Sequence, residues 1–163
     1  MKTIAALIVL AITGFYGACS WALSAGNASR FLDDMETLSL HARMDAYCAR
    51  LADELEVSIR DRTADPPAEF DGGKPEFCAY VTAATRNVAL LGLATAVTRN
   101  DFTVTRDWLR PWTVRVHYRE DRTTTTRQFA PVHTQGEDDA TLVLTVSGIQ
   151  LRRLDSRSWS VDP

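Results

Sequence analysis

The sequence predicts an α+β fold in which helices come first and strands follow. Three segments between residues 28 and 91 place apolar side chains three or four positions apart, as on one face of a helix. Beyond residue 101, apolar and polar residues alternate, which is typical of antiparallel strands with one buried and one solvated face. The chain has 163 residues and no internal repeat, so we expect one domain over residues 28–163.

The first two helices are predicted over residues 28–38 and 42–52. Phe31, Met35 and Leu38 follow one another at helical spacing, after Asn27 or Ser29 as the cap. The second helix has one apolar stripe, formed by Met44, Tyr47, Cys48 and Leu51. A loop rich in Pro and Gly at residues 64–74 then leads into a third helix over residues 75–91, whose first turn tolerates Pro75.

The strands are predicted from alternation of apolar and polar residues. One strand lies between the second and third helices, at residues 55–60. The others follow the third helix, at residues 102–105, 112–120, 127–134, 141–146 and 150–154. Turns are predicted at residues 107–111 and 136–139, and the threonine run at residues 123–126 is interpreted as part of a strand or hairpin.

The first residues have the layout of a secretory signal. Charged Lys2 precedes an apolar run over residues 4–18, which is shorter than the roughly 20 residues that a transmembrane helix needs. We therefore expect residues 1–25 to direct export and residues 28–163 to form the mature domain. A buried first helix and an uncleaved anchor that runs on to Leu23 are the alternatives.

The cleavage site has two interpretations. Residues 16–19 resemble a bacterial lipobox, in which Cys19 would be the lipidated first residue of the mature chain. Gly17 and Ala18 fit that pattern, whereas Tyr16 stands where lipoproteins prefer Leu. Ordinary signal peptidase cleavage near Ala22 or Ala25 is the alternative. Either route predicts a periplasmic protein or one that is anchored to the membrane and faces the periplasm.

Export changes the interpretation of the cysteines. With Cys19 lipidated or removed, Cys48 and Cys78 remain, both on or beside apolar helical stripes. An even number of cysteines in an oxidising compartment favours a disulfide. Two buried free thiols are the alternative, because Cys packs well as a small apolar residue.

The order helix, helix, strand, helix and several long strands resembles the nuclear transport factor 2-like fold, whose members include SnoaL-like proteins and ketosteroid isomerases. The segment MDAYCARLADELEVSIRD resembles the second helix and first strand of that family, and GGKPEFCAYVTAA resembles the start of its third helix. The resemblance covers residues 28–161. It implies three helices against a curved antiparallel sheet, which together form a cone with a pocket.

The resemblance also implies that isomerase chemistry is absent. In ketosteroid isomerases a Tyr on the first helix stabilises the developing oxyanion and an Asp on the first strand moves the proton. When residues 52–54 are aligned with the Ala-Asp-Asp of that family, Phe31 stands at the Tyr position and Ile59 at the Asp position. Asp61, which points to the same face two residues on, is the weak candidate for a base.

Other chemical signals exclude several classes of function. The three His lack metal-ligand spacing, and the sequence has no nucleophile elbow, phosphate-binding Gly loop or Cys-x-x-Cys motif, so we expect no metal and no cofactor. A net charge of −3 argues against a nucleic-acid partner. The acidic pairs at residues 33–34 and 138–139 are expected to be exposed.

Aromatic residues on predicted buried faces could line a ligand pocket or form ordinary core: Phe31, Tyr47, Tyr80, Trp112 and Tyr118. The leading hypothesis is an exported, non-catalytic binding domain for an envelope protein or a small apolar ligand. A homodimer through the sheet face is a further option, and the membrane is contacted only through an N-terminal anchor. The alternatives are an atypical isomerase, dehydratase or hydrolase that uses a pocket acid, and an immunity or inhibitor protein.

Overall fold

A computed structural model of the chain describes residues 2–63, 66–125 and 130–161. Over these residues helices α1–α4 and strands β1–β6 follow one another as α1 (Lys2–Ala22), α2 (Ala25–Leu40), α3 (Met44–Cys48), β1 (Leu51–Asp61), β2 (Ala68–Gly72), α4 (Lys74–Leu91), β3 (Ala94–Arg106), β4 (Thr113–Thr125), β5 (Val132–Thr145) and β6 (Gly148–Ser160). The α+β prediction is confirmed.

The strands form one curved sheet in the order β2-β1-β6-β5-β4-β3. All neighbouring strands are antiparallel except β1 and β6, the first and last strands, which lie side by side and run parallel. The sheet does not close: β2 and β3 are its two edges. The core lies between helices α2–α4 and one face of the sheet, and it includes Phe31, Met35, Tyr47, Leu51, Phe77, Val114, Val116 and Leu142.

Helices α2 and α4 form where their periodicity predicts them. The buried face of α2 consists of Ala28, Phe31, Leu32 and Met35. Pro75 occupies the first turn of α4, where the Glu76 carboxylate accepts a hydrogen bond from the Gly73 amide at 3.2 Å. The helix ends at Gly92, whose φ of 61° lies in the left-handed region that Gly adopts without strain.

The predicted second helix is wrong beyond residue 48. Helix α3 is only five residues long, and Leu51 and Ala52 belong to β1 instead. Leu51 pairs with Leu151 of β6 and is fully buried. Strand pairing and burial therefore outweigh the helical spacing of this segment.

The predicted loop at residues 64–74 contains the edge strand β2, which pairs with β1 and places Phe70 opposite Ile59. Residues 64 and 65 of that loop lie outside the described residues. Strand β2 is hard to predict from the sequence, because Phe70 is the only large apolar residue among its five residues.

The turn predicted at residues 136–139 is also wrong. These residues lie inside β5, paired with β4 on one side and β6 on the other. The strands predicted at 127–134 and 141–146 are therefore parts of one strand, although residues 126–129 lie outside the described part. Glu137 is accommodated in this central strand between Arg119 and Arg157, and Asp138 lies between Tyr118 and Ser156. Asp139 lies between His117 and Asp155 on the solvent side, where water screens the two carboxylates. The turn predicted at residues 107–111 is present.

Helix α1 stands apart from the core. Its described side chains are exposed up to Ala18, and burial begins at Cys19 and Leu23. Among the described residues, no single helix is long and apolar enough to cross a membrane. By length and composition alone, the pair Ala6–Ala22 and Ala25–Leu40, bent by 46°, could do so.

The predicted disulfide is confirmed. Cys48 at the end of α3 is bonded to Cys78 in the first half of α4, with their α carbons 5.9 Å apart. This separation falls in the usual range for disulfides. Cys19 is a buried free thiol.

Candidate functional site

A polar cluster lies on the helix-facing side of the sheet, within an otherwise apolar surface. The cross-strand register places Arg99 of β3 opposite Glu120 of β4, and Tyr118 of β4 opposite Asp138 of β5. Because successive side chains of a strand alternate between faces, Tyr118 and Glu120 point to the same side as the core residues Val114 and Val116. We call Arg99, Tyr118, Glu120, Arg122 and Asp138 the inner polar cluster.

Arg99 is the centre of this cluster. Its guanidinium Nε donates to Glu120 at 3.1 Å, its Nη2 donates to Glu36 of α2 at 2.7 Å, and its Nη1 is paired with Asp33. The Arg99 side chain is only 14% exposed. Burial favours a lower pKa, but the carboxylates outweigh it and the pKa of Arg99 is raised. The planar guanidinium thus holds α2 to the edge of the sheet.

Asp138 is the least compensated member of the cluster. It is 6% exposed, and its Oδ1 has no hydrogen-bond partner within the described part of the chain. Burial, and secondarily the charge of Glu120, raise its pKa to about 6. The hydroxyls of Ser156 and Tyr118 and the charge of Arg122 act in the opposite direction without cancelling these effects. Asp138 therefore keeps its proton to a higher pH than an exposed Asp does.

Tyr118 is packed beside Asp138. Its ring stacks on Phe102 at a centroid distance of 6.0 Å, and the Arg99 guanidinium lies 5.7 Å from its centroid. Burial and the neighbouring Asp138 and Glu120 carboxylates raise the pKa of Tyr118 well above its usual value. The phenol is therefore neutral at physiological pH, and so a donor rather than a base.

The structure brings some of the predicted pocket residues together and not others. Phe31, Tyr47 and Tyr118 are buried in the core, where burial raises the pKa of Tyr47 to about 12. Tyr80 and Trp112 are each 41% exposed. Tyr80 contacts Phe70 on the outside of α4, and Trp112 contacts Phe15 of α1. The five aromatic residues thus share no common lining.

Asp61 lies at the end of β1 as an acceptor of local hydrogen bonds. Its Oδ1 accepts from the Thr63 amide at 2.8 Å, from the Thr63 hydroxyl at 2.6 Å and from the Ser158 hydroxyl at 2.9 Å. Partial burial favours a higher pKa, but these hydrogen bonds outweigh it and the pKa of Asp61 is lowered. A carboxylate held in this way is a poor proton acceptor.

The sequence interpretation missed the inner polar cluster. Asp138 was expected in an exposed turn, whereas the structure buries it in a central strand. Glu120 could have been found, because the alternation that points Val114, Val116 and Tyr118 inward also points Glu120 inward. Arg99 carries no signal of its own, since its partners Asp33 and Glu36 are distant in sequence.

Two surface depressions lie apart from the inner polar cluster. One depression lies beside the disulfide, between α3 and α4, and a second lies between α2 and the β5–β6 turn. Both are open to solvent, and neither is lined by a member of the inner polar cluster. Within the described ranges, no group of three or more His, Cys, Asp or Glu is arranged to hold a metal ion.

Neither a family model nor a curated protein matches the sequence. Solved structures do match. The β subunit of benzoate 1,2-dioxygenase from Burkholderia mallei superposes with a TM-score of 0.66 at 8% identity, over 83% of this chain and 91% of its own. A scytalone dehydratase-like protein of Novosphingobium aromaticivorans gives 0.65 at 12% identity, over 83% and 85%.

A protein from the same Novosphingobium species, described as nuclear transport factor 2-like with a cystatin-like fold, gives a TM-score of 0.56 at 15% identity. That match covers 86% of this chain and 92% of the other. The chain therefore has the nuclear transport factor 2-like fold that its element order suggested. At these identities the similarity establishes the fold, and function has to be argued from the site.

Proposed function

We propose that the chain is an exported, non-catalytic binding domain that acts through the uncovered face of its sheet. The observation that carries the proposal is the filled interior: Phe31, Tyr47, Phe77 and Leu142 occupy the space between helices and sheet. Arg99 already has three carboxylate partners within the chain. A filled interior of this kind stabilises the fold, so we expect a binding partner to contact the surface of the domain.

Two observations support export. The Cys48–Cys78 disulfide is of the kind that persists in oxidising compartments. The described apolar side chains of α1 are exposed up to Ala18, as expected of a segment that inserts into a membrane rather than into the core. The burial that begins at Cys19 agrees with a mature chain that starts there.

The uncovered face of the sheet carries charges of both signs. Across strands β4, β5 and β6, Arg119, Glu137 and Arg157 are neighbours on this face. One row away, His117 lies 3.1 Å from Asp139 and 3.5 Å from Glu137. Alternating charge can pair with a complementary protein surface and reject like-charged ones. We therefore expect an envelope protein or a second copy of this chain as the partner.

Site-specific photo-cross-linking in native cells tests this proposal. A photoreactive amino acid at Arg119 or Arg157 should give one discrete protein adduct, while the same group at Asn87, exposed on α4, should give none. An adduct of twice the chain mass identifies a second copy, and a larger one identifies an envelope partner. Equal labelling at all three positions, or none at Arg119 and Arg157, would contradict the proposal.

A second candidate is an enzyme that uses Asp138 as its acid or base. The orphaned Oδ1 and the pKa of about 6 favour it, because such features concentrate at functional sites. Turnover of an enolisable Δ5-3-ketosteroid provides a test. We expect no rate above that of the buffer; a rate that disappears in Asp138→Asn and persists in Asp139→Asn would favour the enzyme.

A further inference from the structure

Exposed apolar residues outside α1 lie at both ends of the sheet: Leu90, Leu91, Val132 and Val161 at the end away from α1, and a set rich in Trp at the end beside it. Trp21 and Trp108 are each 77% exposed, and Leu109 is 61% exposed. Trp112 lies in the same loop, and Val146 at the tip of the β5–β6 turn is fully exposed. We call this set the aromatic end: Trp21, Trp108, Leu109, Trp112 and Val146. Single exposed apolar residues are ordinary, whereas a contiguous set marks an interaction surface.

The aromatic end surrounds the point where α1 leaves the fold. The Tyr16 hydroxyl donates to the Trp108 carbonyl at 3.1 Å, and the Phe15 ring lies 6.4 Å from the ring of Trp112. Trp21 and Ser147, the residue after Val146, line the same depression. These contacts place the β3–β4 loop and the β5–β6 turn beside α1.

Hydrogen bonds also hold the end of α1 against the domain. Arg106 Nη2 donates to the carbonyls of Ser20 at 3.0 Å and Leu23 at 3.1 Å. Before this junction, residues 4–14 of α1 continue past the loop by about 16 Å at the α-helical rise, and the side chains of residue 4 and residues 6–14 are exposed. The aromatic end and the apolar part of α1 therefore face the same surroundings.

In and beside the β3–β4 loop, Arg106 and Arg110 are positive and Asp107 is negative, a net charge of +1. Arg110 is exposed in the β3–β4 loop, next to Leu109. Asp107, the acidic residue of the loop, has its carboxylate turned toward the chain, where it accepts a hydrogen bond from the Leu109 amide at 2.9 Å. Trp beside exposed Leu, with Arg at the rim, is the composition that suits the boundary between lipid headgroups and acyl chains.

We infer that the aromatic end lies on the surface of an anionic lipid bilayer. Trp108 and Trp112 lie at the depth of the headgroups, Leu109 and Val146 reach the acyl chains, and Arg110 pairs with lipid phosphates. The inference rests on the proposed export and on an attachment of the chain to the membrane at its N-terminal side, which we call the tether; it does not depend on the chemical kind of this tether. An uncleaved α1 and acyl chains on Cys19 would hold the same end of the domain against the membrane.

The test uses the full chain and two single-tryptophan variants. One keeps Trp108 and the other keeps Trp159, with Phe at the remaining Trp positions. Trp159 is a matched control because it is also partly exposed but pairs with Gln135 in the far half of the sheet, about 30 Å along the strands from Trp112. Both variants are reconstituted into phosphatidylethanolamine and phosphatidylglycerol vesicles with brominated acyl chains.

We expect both variants to float with the vesicles, and only the Trp108 variant to lose most of its emission to bromine. Flotation without quenching of Trp108 would overturn the inference and leave the tether intact. Failure to float would overturn both. Equal quenching of Trp108 and Trp159 would mean that the domain lies on its side, which also overturns the inference.

A third variant, made in the background that keeps Trp108, tests whether the quenching depends on the exposed apolar residues rather than on the Trp replacements. Leu109→Ser with Val146→Ser removes exposed apolar groups without touching the core, so the disulfide-bonded fold should be unchanged. In vesicles we expect this variant to float but to show weaker quenching of Trp108. Unchanged quenching would contradict the assignment of Leu109 and Val146 to the acyl chains.

Discussion

Asp138 is a residue whose buried side chain weakens the folded state. Its carboxyl is buried beside Glu120, and its Oδ1 has no hydrogen-bond partner among the described residues. Burying an ionised group without full compensation is unfavourable, so the folded state binds a proton more tightly than the unfolded state. The effect on stability should therefore depend on pH.

We expect Asp138→Asn to stabilise the protein near pH 8 by roughly 1–3 kcal/mol. The folded pKa of about 6 lies above the ordinary value of 3.8, so Asp138 supports the fold below about pH 4. That contribution is lost as pH rises toward and through about 6. Urea unfolding at pH 4 and pH 8 measures the difference, which should shrink at the lower pH.

Asp139→Asn is the matched control for this pH dependence. Asp139 is the next residue of β5 but lies on the solvent side, where it is paired with His117. Its replacement should leave the pH dependence of unfolding close to that of the wild type. If Asp138→Asn behaved in the same way, the carboxyl of Asp138 would have to be hydrated in solution.

Arg99 has the opposite role, because removing it leaves three carboxylates without their shared cation. We expect Arg99→Met to destabilise the fold by about 2–4 kcal/mol, somewhat below the range for fully buried pairs because Asp33 is partly exposed. Arg119→Met breaks an exposed pair with Asp101 and should cost less than about 1 kcal/mol. Urea unfolding at pH 7 compares them, and equal losses would contradict a central role for Arg99.

At the scale of elements, the disulfide compensates for the shortness of α3. Five residues cannot form a stable helix alone, and Cys48 at the end of α3 is bonded to the long helix α4. Closing a loop with a sequence separation of 30 stabilises the fold by about 3–4 kcal/mol in the chain-entropy description.

We therefore expect Cys48→Ala with Cys78→Ala to lower the free energy of unfolding by about 3–4 kcal/mol. The same loss should follow from reducing the wild-type protein with dithiothreitol, which should not affect the double variant. Urea denaturation with and without reductant measures both. A wild-type protein that is insensitive to reductant, with both thiols free by mass spectrometry, would contradict the bond.

The errors of sequence interpretation also occur at the scale of elements. Helices α2 and α4 are predictable because their apolar spacing is local and long. The ends of α3 and β5 are not predictable in this way, because they depend on residues that are distant in sequence. Leu51 belongs to β1 because it pairs with Leu151, and Asp138 belongs to β5 because it pairs with Tyr118 and Ser156. Acidic residues next to a Gly indicate a turn only when no strand on either side can accommodate them.

For the whole molecule, the element order was sufficient to predict the fold, but the candidate site was not predictable. The order of the segments and their apolar periodicity indicate this fold, and both can be recognised in a single sequence. The inner polar cluster depends on five elements meeting, because Arg99 of β3 contacts α2 and β4 while Asp138 of β5 contacts β4 and β6. Pairings between distant segments leave no periodic signal in a single sequence.

Burial changes sharply near the end of α1, where the exposed described side chains up to Ala18 are followed by buried Cys19 and Leu23. We expect a chain that begins at Cys19 to unfold within about 1 kcal/mol of the full chain, because the described side chains before it are exposed. A chain that begins at Ser24 loses the buried Cys19 and Leu23 and the two carbonyls that accept from Arg106, and should be less stable by about 3 kcal/mol or more. Urea unfolding of all three chains in one non-ionic detergent tests this. If the chain that begins at Cys19 were as unstable as the shorter one, α1 would be a structural helix of the domain, and cleavage before Cys19 would be incompatible with the fold.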